Sequence, residues 1–201
     1  MGGRSLFREH QAFGGLVSRE TAGMSPVTAD AERPLRIAFL SPDLRTHSVA
    51  YFIEPLLAHL DPEQFSILLY HDHFTEDQTT TRLRERAVVW RNFVGLSDDA
   101  VEALVREDAP DVLIDLAGHT GMNRLALLGR RLAPVQISYL GYPNTTGLQT
   151  MDRSGGGVRS IPHGNSRALA LHGVVLCAAG RSSDAGAATE SFGSAHYFWQ
   201  F

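Results

Sequence analysis

The chain has 201 residues, 43% of them hydrophobic and 20% charged, with a formal net charge of -4. This balance fits one ordinary globular domain, or one and a fraction, and gives no electrostatic reason to expect nucleic acid or an anionic membrane as partner. The single cysteine, Cys177, excludes an internal disulfide, no run approaches the ~18 apolar residues of a membrane span, and the polar start "MGGRSLFREHQAFGGL" is no signal peptide, so a cytoplasmic location is expected.

In chain order, residues 1–33 read as an N-terminal helix and a linker. "SLFREHQAFGGLV" has Leu6, Phe7 and Phe13 on one side of a short amphipathic helix, and "GMSPVTADAERP" carries the breakers Gly23, Pro26 and Pro34. From residue 34 to Asp152 strand-like and helix-like segments alternate. "LRIAFL" (35–40) is a strand. "SVAYFIEPLLAHL" (48–60) has helical spacing, with Pro55 expected to bend or interrupt it. "FSILLYH" (65–71) is a strand, "DQTTTRLRERAVVW" (77–90) a helix and "NFVGL" (92–96) a short strand. "SDDAVEALVRED" (97–108) opens on a good N-cap, Ser97, with Asp98 and Asp99 suited to the helix dipole. "DVLIDLAG" (111–118) is a strand, "MNRLALLGRRL" (122–132) a helix ending in Arg130 and Arg131, and "PVQISYLG" (134–141) the last strand. The alternation predicts an α/β fold, a Rossmann-like parallel sheet covered on both faces.

After Asp152 the composition shifts to Gly, Ala and Ser, and only "ALALHGVVLCAA" has the character of a strand or helix. Residues 153–201 are therefore expected to form an irregular tail, from a truncated or frame-shifted terminus.

Three loops follow strands: "SPDLRTH" (41–47), "AGHTGMNR" (117–124) and "GYPNTTG" (141–147). In a parallel sheet they open on one edge, where α/β proteins keep ligands. His47 and His119 are expected to face one cleft there, with Asp43, Asp115, Asn123, Arg124, Asn144, Thr145 and Thr146 around it. Imidazole is the side chain that most readily serves as a base near neutral pH. The amides opening the helix after "GHTG" are candidates for holding an anion. The plainer readings are that His47 caps a helix, that Asp115 caps a turn and that Arg130 and Arg131 are helix-terminal charges. "GHTG" is neither GxGxxG nor a Walker loop. His71 and His73 share a strand face but lack a third ligand, so no metal is expected.

The blocks "SPDLRTHSVAYF", "DLAGHTGMNRL" and "APVQISYLGYPNTTG", in this order, resemble the catalytic region of the protein O-GlcNAc transferase family, of the bacterial TPR-associated, SPINDLY-like type. The resemblance implies the N-terminal lobe of a GT-B glycosyltransferase. It implies inverting transfer of N-acetylglucosamine from UDP-GlcNAc to Ser or Thr of acceptor proteins, with no metal or other cofactor. His47 falls at the family's catalytic-base position, Asp43 four residues before it. His119, Thr120, Tyr142, Pro143 and Thr145 fall in cleft-lining, substrate-binding segments. No second lobe and no TPR repeats are recognisable. The chain alone is therefore expected to be idle as an enzyme, with an apolar cleft wall open to self-association. The competing expectation is an inactive α/β fragment that acts as a protein-interaction module or has no function.

Overall fold

The computed structural model describes residues 3–18, 33–154, 166–171 and 174–179, with side chains placed at 5–18 and 33–152. Six parallel strands form one sheet: β1 (Leu35–Ser41), β2 (Phe65–His71), β3 (Val89–Asn92), β4 (Val112–Asp115), β5 (Val135–Ser138) and the two-residue β6 (Arg153–Ser154). Their order is β3-β2-β1-β4-β5-β6. The chain builds outward from β1 in one direction, then returns to place β4 on the other side of β1. The winding reverses between β1 and β4, and the crevice at the carboxyl ends of those two strands is where such sheets bind ligands.

The central strands β1, β2 and β4 are largely apolar because both of their faces are buried. Ile37, Phe39, Ile67, Leu69, Val112 and Ile114 point to one face, where α2 (Ser48–His59) and α3 (Gln78–Arg84) cover them through Val49, Ile53, Leu57 and Leu83. Ala38, Leu40, Leu68, Tyr70 and Leu113 point to the other face. They meet Val101 and Val105 of α4 (Asp98–Asp108) and Leu125, Leu127 and Leu128 of α5 (Leu125–Leu128). α1 (Gly3–Val17) adds Phe13 and Val17 to that second cluster.

Several elements differ from their sequence-based limits. The expected helix over 77–90 ends at Arg84, and Val89–Asn92 is a strand, entered by the 2.8 Å bond from Val88 N–H to the Ile67 carbonyl. "AVVW" is β-branched and aromatic, a poor helix end and a good strand. The strand expected at 92–96 is instead a turn, closed by Leu96 N–H on the Phe93 carbonyl, with Gly95 at φ +79°. α2 runs unbroken through Pro55, which sits on its exposed face where water can take the freed carbonyl. Ser97 caps α4 as expected, its Oγ accepting from Ala100 N–H. The helix expected over 122–132 is a single turn, because Arg131 turns left-handed at φ +51°. α5 is thus too short for a helix-terminal anion site, and Leu125 N–H is already bonded to Asn123 Oδ1.

Arg130 and Arg131 are not free helix-terminal charges. Arg130 binds Asp99 and Glu102 of α4, while Arg131 binds the carbonyls of Pro134 and Thr150 and the Asp152 carboxylate. The sheet runs two residues past Asp152, and "ALALHGVVLCAA" falls in an antiparallel pair, β7 (Ser166–Leu171) and β8 (Val174–Ala179). The rest of the expected irregular tail lies outside the described residues. Among the described residues no helix is long and apolar enough to cross a membrane.

Candidate functional site

A cavity of about 330 Å³ opens at the β1/β4 reversal. Asp43 and His47 come to it from the loop after β1, Ser48, Val49 and Phe52 from α2, Thr120 and Gly121 from the loop after β4, and Leu140 and Gly141 from the loop after β5. Three segments distant in sequence are thus brought together by strand order alone. The wall after β5 is made by a tight turn: Gly141 N–H donates to the Tyr139 carbonyl at 2.9 Å, which forces Leu140 to φ +70°. A leucine held in that conformation is strained, and such strain gathers at ligand sites. It also explains why β5 stops at Ser138 rather than reaching residue 141.

His47 is the N-cap of α2. Its backbone is extended, and Nδ1 accepts a long 3.3 Å bond from Val49 N–H. The capping reading and the site reading therefore both hold for the same ring. The Asp43 carboxylate lies 3.6 Å from Nδ1, and its other oxygen is held by Arg45 at 3.3 Å. The two neighbours of Nδ1 favour opposite tautomers. The capping bond needs a lone pair on Nδ1, whereas a bond to Asp43 needs a hydrogen there and leaves Nε2 as the basic atom. Nε2 has no hydrogen bond among the described residues, so the ring is free to present it to the cavity.

The other expected cleft residues divide into three groups. Asp115 is buried at the end of β4 and caps the turn, its oxygens accepting from Ala117 N–H (3.1 Å), Gly118 N–H (2.9 Å) and Ser138 Oγ (3.2 Å). Burial pushes its carboxyl above the usual range, against the opposing pull of those donors. Arg124 is a clamp: it binds Asp72 through two nitrogens (2.6 and 3.1 Å), Asp98 (2.8 Å) and the carbonyls of Phe93 and Leu96. It ties four carboxyl-edge segments into one rim. Arg124→Met is expected to lower the unfolding free energy by about 2–3 kcal/mol, since it strands the half-buried charge network around Asp72. Arg106→Met, which breaks only the exposed i,i+4 pair with Glu102, is expected to cost under ~0.5 kcal/mol. Urea unfolding of both variants checks the contrast.

The third group does not line the cavity, and His119 and Tyr142 in it pack against α1. His119 donates from Nε2 to the Thr146 carbonyl at 2.9 Å and stacks on His10 of α1, with centroids 4.1 Å apart. Tyr142 Oη lies 3.2 Å from His10 Nε2, and Thr146 is buried. Thr145 Oγ1 and Asn144 Oδ1 accept backbone bonds within their own loop, Asn123 bonds the Thr120 carbonyl, and Pro143 is exposed. Of the seven residues singled out by resemblance, Asp43, His47 and Thr120 line the cavity, while His119, Tyr142, Pro143 and Thr145 do not.

Sequence reasoning missed His10. It placed Leu6 and Phe7 on the packed side of α1, yet both are exposed and His10 and Gly14 are buried. The available signal was the pair Gly14-Gly15 inside a helix, which costs stability unless a backbone approaches closely. One does: a Cβ on Gly14 would lie 1.8 Å from the Gly147 carbonyl oxygen. His71, the other buried histidine among the described residues, bonds the Thr75 carbonyl. Among the described residues no group of three or more His, Cys, Asp or Glu side chains is arranged to hold a metal.

Fold and site together define a Rossmann-type α/β unit with an imidazole and a carboxylate lining a cavity at the β1/β4 reversal. The chain belongs to glycosyl transferase family 41, whose model matches residues 17–155. It is 40% identical over 155 residues to the protein named "Probable UDP-N-acetylglucosamine--peptide N-acetylglucosaminyltransferase SPINDLY" of Oryza sativa subsp. japonica, covering 73% of this chain and 16% of that protein. It is 42% identical over 127 residues to the SPINDLY protein of Arabidopsis thaliana, covering 61% and 14%. Among solved structures it is similar to a mutant of the Thermobaculum terrenum O-GlcNAc transferase, with a TM-score of 0.71 and 35% identity over 75% of this chain and 29% of that one. The chain spans well under a fifth of the length of these curated relatives.

Proposed function

We propose that this chain supplies the acceptor-activating half of a transferase that moves N-acetylglucosamine from UDP-GlcNAc to Ser or Thr hydroxyls of proteins, with inversion. The observation that carries the reading is His47, backed by Asp43, at the mouth of a cavity over the β1/β4 reversal. Membership of the family and the names of the similar proteins support it. In the step proposed, the acceptor oxygen attacks the anomeric carbon from the face opposite UDP. His47 Nε2 takes the hydroxyl proton, and the bond from the anomeric carbon to the phosphate oxygen breaks with its electron pair leaving on UDP. In this reading Thr120 and the Gly121 and Gly141 backbones, which line the cavity, contact the sugar, and Asp43 holds the ring in the tautomer that leaves Nε2 basic. No metal or other cofactor takes part in this reading.

Among the described residues no Arg lines the cavity, and the chain has no Lys, so in this reading the charge of a departing diphosphate is met from outside the cavity. The 201-residue chain by itself is therefore expected to transfer little or no sugar. Its partners in this reading are a nucleotide sugar and acceptor proteins, not nucleic acid or membrane. The exposed Tyr51, Phe52 and Met122 near the cavity offer an apolar rim for association with another chain, a second copy included.

The ring signals of a histidine-labelled chain test the site. Titration with UDP-GlcNAc and a Ser/Thr acceptor peptide is expected to move the His47 signals and leave those of His59, at the far end of α2, in place. His47 signals that stay fixed at millimolar ligand would sink the assignment. Label transfer by the purified chain, lost on His47→Ala, would overturn only the expectation of idleness.

A further inference from the structure

α1 is fastened to the carboxyl edge by contacts that tolerate no added bulk and no added charge. Gly14 meets Gly147 backbone to backbone, and a Cβ on Gly147 would lie 1.9 Å from the His10 carbonyl oxygen. Between these contacts the His10 ring stacks on His119 at an interplanar angle of 13°, with Phe13 edge-on to His119 and Tyr142 edge-on to both imidazoles. His10 is 6% exposed, and its Nδ1 is buried without a hydrogen-bond partner among the described residues. The Thr146 carbonyl fixes a hydrogen on His119 Nε2.

We propose that the stacked His10–His119 pair is a proton-operated latch, which holds α1 against the loops after β4 and β5 at neutral pH and releases it as the pH falls. The geometry supplies the mechanism. Two neutral rings stack well, but a proton on His10 places a cation against a second imidazole in a buried contact, which the Thr145 backbone offsets only in part. The groups facing His10 are Glu9 on α1 itself, His119 with buried Asp115 beneath it from the β4 side, and Tyr142 with the Thr145 backbone from the β5 side. Burial first, and then His119, hold the His10 imidazole below its ordinary value of 6.5, while the Thr145 backbone and Glu9 pull the other way without reversing the shift. The docked state therefore binds the proton less tightly than the released state. Docking is complete above the ordinary value and weakens as the pH falls from there toward the depressed docked value. The docking constant falls by up to about tenfold per pH unit for one proton. Tyr142 directly follows Gly141 in the cavity wall, so release of α1 frees that wall on one side.

Nuclear magnetic resonance of the full chain between pH 7.5 and pH 5 tests the latch. Contacts from α1 to the 145–147 loop are expected to disappear toward pH 5 while β1 and β4 signals stay in place, and the His10 ring is expected to titrate below 6.5. In His10→Phe, which keeps an aromatic ring but cannot be charged, α1 is expected to stay docked at pH 5. If that variant does not dock at pH 7.5, His10→Gln, which likewise takes up no proton at pH 5, is read by the same criterion. Wild-type α1 still docked at pH 5, a His10 ring that titrates at or above 6.5 while docked, or a non-titrating variant that releases α1 over the wild-type range would each overturn the proposal.

Discussion

Gly141→Ala is expected to cost at least about 3 kcal/mol of stability. A Cβ there would lie 1.7 Å from the Leu116 carbonyl oxygen, 2.6 Å from its carbon and 3.2 Å from Ala117 Cα. All three are backbone atoms, so no side-chain rotation relieves the clash. Leu116 cannot retreat, because its N–H is bonded to the Leu40 carbonyl of β1 at 3.0 Å. Gly141 is held on its own side by the turn that strains Leu140. The loops after β4 and β5 must therefore separate, and the cavity they wall must widen. Gly15→Ala is the control: a Cβ there meets nothing within 4 Å, and alanine in a helix is worth up to ~1 kcal/mol over glycine. Urea unfolding is expected to give opposite signs for the two variants. Midpoints that fall together would show that the close approach at Gly141 is not what fixes the loop.

The contrast between these glycines shows where the sequence is legible. β1, β2 and β4 are buried on both faces, so their runs of apolar residues announce strands whatever surrounds them, and their alternation with helices dictates a parallel sheet. The carboxyl-edge position of the three loops follows from that sheet, and so does the meeting of His47 with Thr120. The direction each side chain takes within its loop does not follow. His119 and Thr120 are neighbours in sequence, yet one turns to α1 and the other to the cavity. The choice is made by His10, whose contact with Tyr142 spans 132 positions and leaves no periodic trace. Arg124 was legible as a cleft cation, but its carboxylate partners come from the residue just after β2 and from α4 and convert it into a clamp. The end of α3 went unread because "RLRERAVVW" satisfies a helical pattern up to the point where the β2 ladder captures Val88.

Asp115→Ala is expected to cost about 3 kcal/mol, because it leaves the amides of Ala117 and Gly118 and the Ser138 hydroxyl buried without their acceptor. Asp115→Asn keeps one oxygen and is expected to lose about half as much. The pH dependence separates the two roles of this carboxyl. Burial raises its value in the fold above the ordinary 3.8, so in the window just above 3.8 the folded chain binds the proton more tightly than the unfolded chain does. Across that window the contribution of Asp115 to stability falls as the pH rises, which is the reverse of an ion-paired aspartate. Asparagine has no such slope. The deficit of Asp115→Asn relative to wild type is therefore expected to shrink from about pH 4 toward neutrality, while that of Asp115→Ala stays the larger at every pH. Denaturant midpoints at a series of pH values give both curves. A deficit for Asp115→Asn that grows with pH would mean that the ionised carboxylate is a net stabiliser and that the three donors outweigh burial. The position of Thr120 depends on the answer. Its turn hangs from the Ala117 carbonyl, to which both its hydroxyl and its N–H donate, so whatever fixes Ala117 also sets one wall of the cavity that His47 faces.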